Sequence, residues 1–159
     1  MLIKEILQPE RTLYQLPSVS KKRVLEKVSQ HLSLLYPNLN ANELFDAFIE
    51  RERLGSTGIG DGVALPHCRS SRCNEIIGVL ALLKNSIDFD SIDGKEVDLV
   101  FILVVPKEAS QDHLNTLSSV ASAFYKESYR DTLRNAENAE ELFLLATHIE
   151  SSSSEQSAQ

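Results

Sequence analysis

Two histidines, an arginine and a cluster of glycines are the residues of this sequence whose types suit chemistry on an anion. His67 follows Pro66 at the end of the segment 51–67, which reads RERLGSTGIGDGVALPH. A neutral imidazole is a nucleophile near pH 7 without a separate activating base. Arg51, in the same segment, carries a permanent positive charge on a planar fork that suits phosphoryl oxygens. These residues predict a nucleophilic histidine beside an anion-binding site.

The glycines between the arginine and the histidine indicate a loop with unusual backbone angles. Four of the six glycines of the chain lie within residues 55–62, a density that argues against a helix or an ordinary strand. Backbone N–H groups in such a loop can form a concave anion site. Ser56 and Thr57 add hydroxyl donors, and Gly58 follows them. The loop lacks the Lys-Ser/Thr pair of a nucleotide-binding phosphate loop.

His113 is the second histidine expected at the site. It lies in the first turn of a predicted helix that follows the predicted strand Val97–Val105. Because loops at strand ends meet at one edge of a sheet, we expect His67 and His113 to approach each other. One would bond to a phosphoryl group, and the other would donate a hydrogen bond to that group. His31 and His148 fall in predicted helices and are expected to have surface or capping roles.

Two cysteines near His67 leave a zinc or thiol-redox site as an alternative. Cys68 and Cys73 are five positions apart, which is not the spacing of a structural zinc site. Two cysteines are also too few for a disulfide framework. We therefore expect neither a metal nor a cofactor. The residues by themselves predict an anion-binding site around His67.

Helices are predicted on both sides of this segment. Apolar residues recur at helical spacing over Ser20–Tyr36, and a second helix begins near Asn40. Three more helices are predicted later in the chain, the first after Ser110, the second near Tyr129 and the third after Asn138. Serine and asparagine at these starts suit helix caps, because their side chains accept hydrogen bonds from free backbone N–H groups.

Two apolar runs, Ile76–Leu83 and Val97–Val105, the second interrupted only by Asp98, indicate strands. Strands without polar alternation are buried on both faces, so helices should cover both sides of their sheet. We therefore predict an α/β fold, a single domain with a mixed β-sheet sandwiched between α-helices on both faces. The domain is expected to span residues 1–150, and the polar residues 151–159 are expected to form a disordered tail.

The composition argues against nucleic-acid-binding and membrane proteins. The chain has 159 residues, which fits one domain. Lys and Arg total 16 against 23 Asp and Glu, a net charge of -7, whereas general nucleic-acid binding needs a basic face. Lys4 and Glu5 interrupt the first apolar run, which does not fit a signal peptide. No apolar run is long enough for membrane insertion, so we expect a cytoplasmic protein.

The segment 51–67 resembles the signature of a known family, the mannitol/fructose-type enzyme IIA proteins of the bacterial phosphotransferase system. The likeness is closest to the nitrogen-regulatory branch and extends over roughly Leu2–Ile149, including the stretch VFILVVPKEASQDHL. The resemblance implies a phosphotransferase component that acts through a phosphohistidine. It implies that His67 is phosphorylated on Nε2, that His113 supports the phosphoryl group, and that Arg51 is the arginine of the site.

The same resemblance implies that the loop residues Ser56, Thr57 and Gly58 bind the phosphoryl group, without a cofactor. One departure from the family pattern lies directly after the histidine. Many relatives have a glycine or another small residue there, and this chain has Cys68. We expect the cysteine to be accommodated as a small residue.

The leading hypothesis from the resemblance is a nitrogen-regulatory phosphocarrier. The phosphoryl group would come from phosphoenolpyruvate, through a nitrogen-type enzyme I and a histidine-containing phosphocarrier protein. The phosphorylation state would then regulate target proteins, for which the family suggests potassium transporters or sensor kinases. A sugar-specific enzyme IIA that passes the phosphoryl group to the IIB domain of a fructose or mannitol permease is the first alternative. The second is a protein-binding regulatory module in which His67 performs no chemistry.

Overall fold

The computed structural model describes the backbone of residues 2–157, with side chains described except at position 114 and from position 149 onward. The first element of this part of the chain is a short helix. In chain order the helices and strands are α1 (Ile3–Ile6), β1 (Thr12–Leu16), α2 (Lys21–Leu35), α3 (Ala41–Arg53), β2 (Gly58–Gly60), β3 (Val63–Ala64), β4 (His67–Ser70), β5 (Ile77–Ile87), β6 (Val97–Pro106), α4 (Gln111–Phe124), α5 (Glu127–Arg134) and α6 (Ala139–Ser157).

All the described strands belong to one mixed sheet. The order is β1-β5-β6-β3-β2, and β4 pairs with β6 beyond the end of β3. The central pair, β5 and β6, is antiparallel, with Ile77 opposite Val104. β1 runs parallel to β5, and both β3 and β4 run parallel to β6. The predicted mixed sheet is therefore confirmed.

Both faces of the sheet are buried beneath helices, as the uninterrupted apolar runs predict. In β6, Leu99, Phe101 and Leu103 pack against residues of α4, α5 and α6. The alternate residues Val100 and Ile102 pack on the other face, against residues of α2 and α3. Because successive side chains of a strand point to opposite faces, a strand covered on both sides has no position for a polar residue. The predicted α/β sandwich is confirmed.

The predicted helix starts are found at their capping residues. Ser20, Asn40, Ser110 and Asn138 each accept a hydrogen bond from the backbone N–H three residues later, at 3.1, 3.0, 3.4 and 2.8 Å. Such bonds satisfy backbone donors that have no partner within the helix. Among the described helices, none is long and apolar enough to cross a membrane.

The glycine-dense segment is only partly a loop. Gly58–Gly60 forms a short strand antiparallel to Val63–Ala64, so the expectation that no strand forms here is wrong. The reason lies in the turn between the two strands, where φ is 58° at Asp61 and 79° at Gly62. An Asp-Gly pair with two positive φ angles reverses the chain in two residues and thereby forms a tight hairpin. The predicted unusual backbone angles are confirmed.

Two further strands, β1 and β4, are absent from the sequence prediction because neither has an apolar run. β1 reads TLYQL, and β4 reads HCRS. Pairing with the buried strands holds both in place. Along β6 the pairing keeps one register across Pro66: Val63 lies opposite Leu99 and His67 opposite Leu103, each partner being 36 positions later in the sequence.

The last helix extends past the predicted end of the domain. The sequence predicts a disordered tail over 151–159, of which residues 158 and 159 lie outside the described part of the chain. As far as Ser157 the backbone instead continues α6. The serine run has no apolar side chains, but it also lacks the glycine or proline that would stop a helix already begun.

Candidate active site

His67 lies at the first position of β4, half-buried. Its Nδ1 is 3.0 Å from the backbone oxygen of Leu65. A carbonyl oxygen can only accept, so the ring hydrogen of a neutral His67 must be on Nδ1. The other ring nitrogen, Nε2, then carries the free lone pair. This arrangement prepares Nε2 as a nucleophile.

Arg51, near the end of α3, contacts that nitrogen directly. Its Nε–H donates to His67 Nε2 at 3.3 Å, and one of its terminal nitrogens donates to the backbone oxygen of Gly55 at 2.9 Å. The guanidinium is thus held between the glycine loop and the imidazole. Because Nε2 accepts a hydrogen bond here, this contact requires the same tautomer as the bond to Leu65.

The surroundings of His67 favour its neutral form. Burial lowers the pKa of His67 below the ordinary value of 6.5, and the positive charge of Arg51 lowers it further. The hydrogen bond to Leu65 and the negative charge of Glu52 act in the opposite direction, without reversing the result. The imidazole is therefore uncharged and nucleophilic at neutral pH.

His113 lies in the first turn of α4, and its ring also has a defined orientation. Its Nδ1 accepts a hydrogen bond from the backbone N–H of Ser110 at 3.1 Å. The Ser110 hydroxyl lies 3.0 Å from the same nitrogen. Since Nδ1 is an acceptor, the ring hydrogen of a neutral His113 must be on Nε2. His113 therefore offers an Nε2–H donor, whereas His67 offers an Nε2 lone pair.

A cleft of about 520 Å³ brings Arg51, His67 and His113 together. It lies between α3, the adjacent strands β4 and β6, and α4. The expectation that the two histidines meet at one edge of the sheet is therefore realised. At its rim, Leu54 is 84% exposed. The other residues that line it are Ala47, Glu50, Cys68, Arg69, Leu103, Val105 and Leu117.

Arg69 is a residue of this cleft that the sequence analysis does not identify. It lies two positions after His67 on β4, and alternate residues of a strand share a face. One of its terminal nitrogens donates to the backbone oxygen of Lys107 at 3.0 Å. The period-two alternation could have identified Arg69, but only if β4 had been recognised as a strand.

The predicted phosphoryl-binding residues Ser56, Thr57 and Gly58 do not line the cleft. The Ser56 hydroxyl donates to the backbone oxygen of Phe89 and accepts from the N–H of Gly58 at 3.0 Å. The Thr57 hydroxyl donates to the carboxylate of Glu52, which also accepts from the Thr57 N–H at 3.2 Å. These hydroxyls therefore stabilise the loop, and their contact with a phosphoryl group stays a prediction.

The two remaining histidines lie outside the cleft. His31, on α2, has its Nε2 2.7 Å from the backbone oxygen of Glu10, and His148, on α6, is exposed. Neither ring contacts Arg51, His67 or His113. Surface positions of this kind agree with the roles expected for them.

The cysteines do not suit thiolate chemistry. Cys68 is buried, and burial, with a smaller contribution from nearby Cys73, raises the pKa of its thiol to about 12. Burial also raises the pKa of Cys73. A thiol must ionise to act as a nucleophile or a zinc ligand. Among the described residues, no group of three or more His, Cys, Asp or Glu side chains is arranged to hold a metal.

Comparison with known proteins gives a family for this arrangement. A sequence profile of the family described as "Phosphoenolpyruvate-dependent sugar phosphotransferase system, EIIA 2" matches residues 5–148. A nitrogen regulatory protein of Pseudomonas aeruginosa is 40% identical over 148 residues, which cover 93% of this chain and 96% of that protein. A nitrogen regulatory protein of Escherichia coli is 38% identical over 149 residues, which cover 93% and 91%.

A solved structure agrees with the sequence matches. The crystal structure of nitrogen regulatory protein IIA-Ntr from Neisseria meningitidis superimposes with a TM-score of 0.81 at 36% sequence identity, over 91% of this chain and 99% of that one. The similarity thus extends over the sheet, the helices on both its faces and the His67 cleft. The chain belongs to the enzyme IIA type 2 family of phosphotransfer components, in its nitrogen-regulatory branch.

Proposed function

We propose that this protein is a phosphocarrier that accepts a phosphoryl group on Nε2 of His67 from a histidine-containing phosphocarrier protein. The observation that carries the proposal is the hydrogen bond from Arg51 Nε–H to His67 Nε2 at 3.3 Å. It sets a permanent cation directly beside the nucleophilic lone pair. Phosphoryl transfer depends on such positioning and on stabilisation of negative charge, more than on additional covalent chemistry.

In the proposed reaction, the lone pair of His67 Nε2 attacks the phosphorus of a donor phosphohistidine. The new N–P bond forms as the N–P bond of the donor breaks, and the donor imidazole leaves with that electron pair. Arg51 Nε–H, released from Nε2, donates to a phosphoryl oxygen instead. His67 keeps its Nδ1–H on the oxygen of Leu65, 3.0 Å away. The ring therefore needs no change of tautomer.

Two further donors in the cleft support the transferring group. His113 carries its ring hydrogen on Nε2, because Nδ1 accepts from Ser110 at 3.1 Å. Arg69 shares the face of β4 with His67 and adds a second guanidinium to the cleft. Donors aimed at developing negative charge in a partly dry cleft stabilise a transition state more than they would in water.

Regulation follows from the charge that the reaction adds. A phosphoryl group brings about -2 charge, here into a cleft whose rim includes the exposed apolar Leu54. A target that docks on this rim would then distinguish the two forms of the protein. The curated relatives at 38–40% identity are nitrogen regulatory proteins, which supports regulation of targets over delivery to a sugar permease. Potassium transporters and sensor kinases are the target classes to test first.

The test is phosphoryl transfer from phosphoenolpyruvate through a purified nitrogen-type enzyme I and its carrier protein, followed by intact mass. We expect one acid-labile phosphoryl group on the wild-type chain, none on His67→Ala, and slower acceptance by His113→Ala. His148→Ala, an exposed histidine outside the cleft, is the matched control. Acceptance only from the sugar-type donor pair would favour the permease alternative. No acceptance from either donor pair would favour the protein-binding module.

A further inference from the structure

Glu52 is a buried carboxylate whose role the proposed reaction does not explain. It directly follows Arg51 at the end of α3, and its side chain is only 5% exposed. Lys21 Nζ lies 2.6 Å from one of its oxygens. The Thr57 N–H donates to it at 3.2 Å, and the Thr57 hydroxyl donates to its other oxygen. A carboxylate remains charged in such a place only when donors surround it.

Through Thr57, this carboxylate connects to the hydrogen bond that orients His67. The backbone oxygen of Thr57 accepts from the N–H of Leu65 at 2.9 Å. The backbone oxygen of Leu65 in turn lies 3.0 Å from Nδ1 of His67. Hydrogen bonds, joined through the backbone of Thr57 and of Leu65, therefore link Glu52 to the ring nitrogen that fixes the tautomer of His67.

The same loop also holds the arginine. The backbone oxygen of Gly55, two residues before Thr57, accepts a hydrogen bond from Arg51 at 2.9 Å. Holding the long side chain of Arg51 beside His67 costs rotamer freedom. The hydrogen bond to Gly55 offsets that cost. Fixing the loop at Thr57 therefore fixes the acceptors of both Arg51 and His67.

Lys21 attaches this unit to the rest of the fold. Its side chain is 18% exposed, and its Nζ lies 3.8 Å from an oxygen of Asp90 and 5.0 Å from the ring centre of Phe89. Lys21 thus connects α2 to α3 and to the segment that follows β5. Because little water screens the Lys21–Glu52 pair, loss of either charge leaves the other nearly unpaired.

We propose that Glu52, held by Lys21, is a positioning residue for phosphoryl acceptance. It fixes the loop 55–57, in which Gly55 accepts from Arg51 and Thr57 holds Leu65, the acceptor for His67. This proposal rests on the function proposed for His67. Glu52 does not line the cleft, so its positioning role is exerted through Thr57, besides the effect of its charge on the pKa of His67. The Thr57 hydroxyl is assigned to the same unit.

Substitutions that change single hydrogen bonds test this role. Glu52→Gln removes the charge at constant size, Thr57→Val removes the hydroxyl at constant shape, and Thr57→Ser restores the hydroxyl. Glu26→Gln is the matched control, because Glu26 forms an exposed pair with Arg23 on α2. Melting temperatures measured in parallel identify the temperature range in which every variant is folded.

Two measurements are made within that range. The first is the rate of phosphoryl acceptance from the phosphorylated carrier protein, at saturating and at low carrier concentrations. We expect Glu52→Gln and Thr57→Val to slow acceptance at saturation about tenfold to a hundredfold, with the half-saturating concentration little changed. Thr57→Ser, which keeps the hydroxyl, should recover most of the rate lost in Thr57→Val, and Glu26→Gln should keep the wild-type rate.

The second measurement is nitrogen-15 NMR of the unphosphorylated proteins, which reports the tautomer of His67 and the Nε–H signal of Arg51. In the wild-type chain we expect hydrogen on Nδ1 of His67 and a slowly exchanging Arg51 Nε–H. In Glu52→Gln and Thr57→Val we expect a mixture of tautomers and a rapidly exchanging Arg51 signal. A role confined to stability would lower the melting temperature and leave both signals unchanged.

The two readouts separate this proposal from the function on which it rests. Wild-type tautomer and wild-type acceptance in folded Glu52→Gln and Thr57→Val would overturn the positioning role. If the wild-type chain accepts no phosphoryl group from any carrier, the proposed function is wrong. The tautomer and the Arg51 signal would still decide whether Glu52 orients the pair.

Discussion

Arg51 Nε–H and His67 Nε2 share a hydrogen bond of 3.3 Å, so the cation that would stabilise a phosphoryl group already contacts the nitrogen that would receive it. The backbone oxygens of Gly55 and Leu65 hold the two side chains from opposite sides, at 2.9 and 3.0 Å. The site is therefore organised before any phosphoryl group arrives. An organised site loses little entropy when the reaction begins.

Replacement of Arg51 by lysine should slow phosphoryl acceptance about a hundredfold, although the charge is kept. A guanidinium can contact Gly55 and His67 at once, whereas an ammonium on a flexible stem cannot reproduce that planar fork. The rate is measured by intact mass against Arg53→Lys, since Arg53 forms an exposed pair with Glu50 on the same helix. Equal rates for the two variants would contradict this use of the guanidinium.

Phosphoryl acceptance should persist at pH values below 6.5. Burial, followed by the charge of Arg51, lowers the pKa of His67 from that ordinary value, so the neutral nucleophilic ring survives at lower pH than a typical histidine. An NMR titration of the His67 ring, run beside transfer rates from pH 5 to 8, measures both. A ring that becomes charged above pH 6.5 would contradict the prediction.

The same lowered pKa should affect stability. Above pH 6.5 His67 is neutral whether the chain is folded or unfolded. Below it the unfolded chain binds a proton that the folded chain binds less readily, so the free energy of unfolding should fall as the pH falls. Urea unfolding of wild type and His67→Gln at pH 5 and pH 7 isolates this contribution. The fall in the free energy of unfolding from pH 7 to pH 5 should be smaller in His67→Gln than in the wild type. An equal fall in both proteins would refute the lowered pKa of His67.

Thiol reagents should label Cys73 well before Cys68 in the folded protein. Cys68 is buried, and its pKa is raised to about 12, so almost none of its thiol is ionised near pH 8. Cys73 is only half-buried. Labelling of the variants Cys68→Ala and Cys73→Ala, followed spectroscopically with and without urea, gives the rate for each thiol. Fast native labelling of Cys73→Ala would return the thiol-redox alternative to consideration.

Gly62→Ala should cost more stability than Gly94→Ala. Both glycines have positive φ, 79° and 73°, which costs an alanine roughly 1–2 kcal/mol. A Cβ at position 62 would also lie 2.4 Å from a terminal nitrogen of Arg134, which pairs with Asp98 at 2.9 Å. Nothing lies within 4 Å of a Cβ at position 94. Urea unfolding should place the two variants about 1 kcal/mol apart; equal losses would mean that Arg134 moves without cost.

Local patterns were enough to predict the sandwich, and the family resemblance implies the roles expected of His67, His113 and Arg51. The apolar runs of β5 and β6 require cover on both faces, and the caps at Ser20 and Ser110 fix where their helices begin. The expected meeting of His67 and His113 followed from the topology of strand ends. The strand and helix inferences depend on residues close together in the sequence, whereas the approach of His67 and His113 depends on the predicted topology.

The missed strand β4 has its physical origin in long-range pairing. β4 has no apolar run, and it is a strand only because β6 offers it backbone partners more than thirty positions away. Arg69 therefore went unnoticed as a residue of the cleft. The sequence analysis also does not identify Phe89 and Glu52 as partners of the Ser56 and Thr57 hydroxyls, whose contact with a phosphoryl group stays a prediction.

The unbroken register of β3 and β4 along β6 has a consequence for how this segment can vary through evolution. Both sides of Pro66 keep the same offset to β6, so the chain between Ala64 and His67 has no slack. Gain or loss of one residue there would turn His67 away from the face of β4 that it shares with Arg69, because a slip of one position reverses the two faces of a strand. The segment can accept substitutions, but it cannot change in length without a shift in the register of β4.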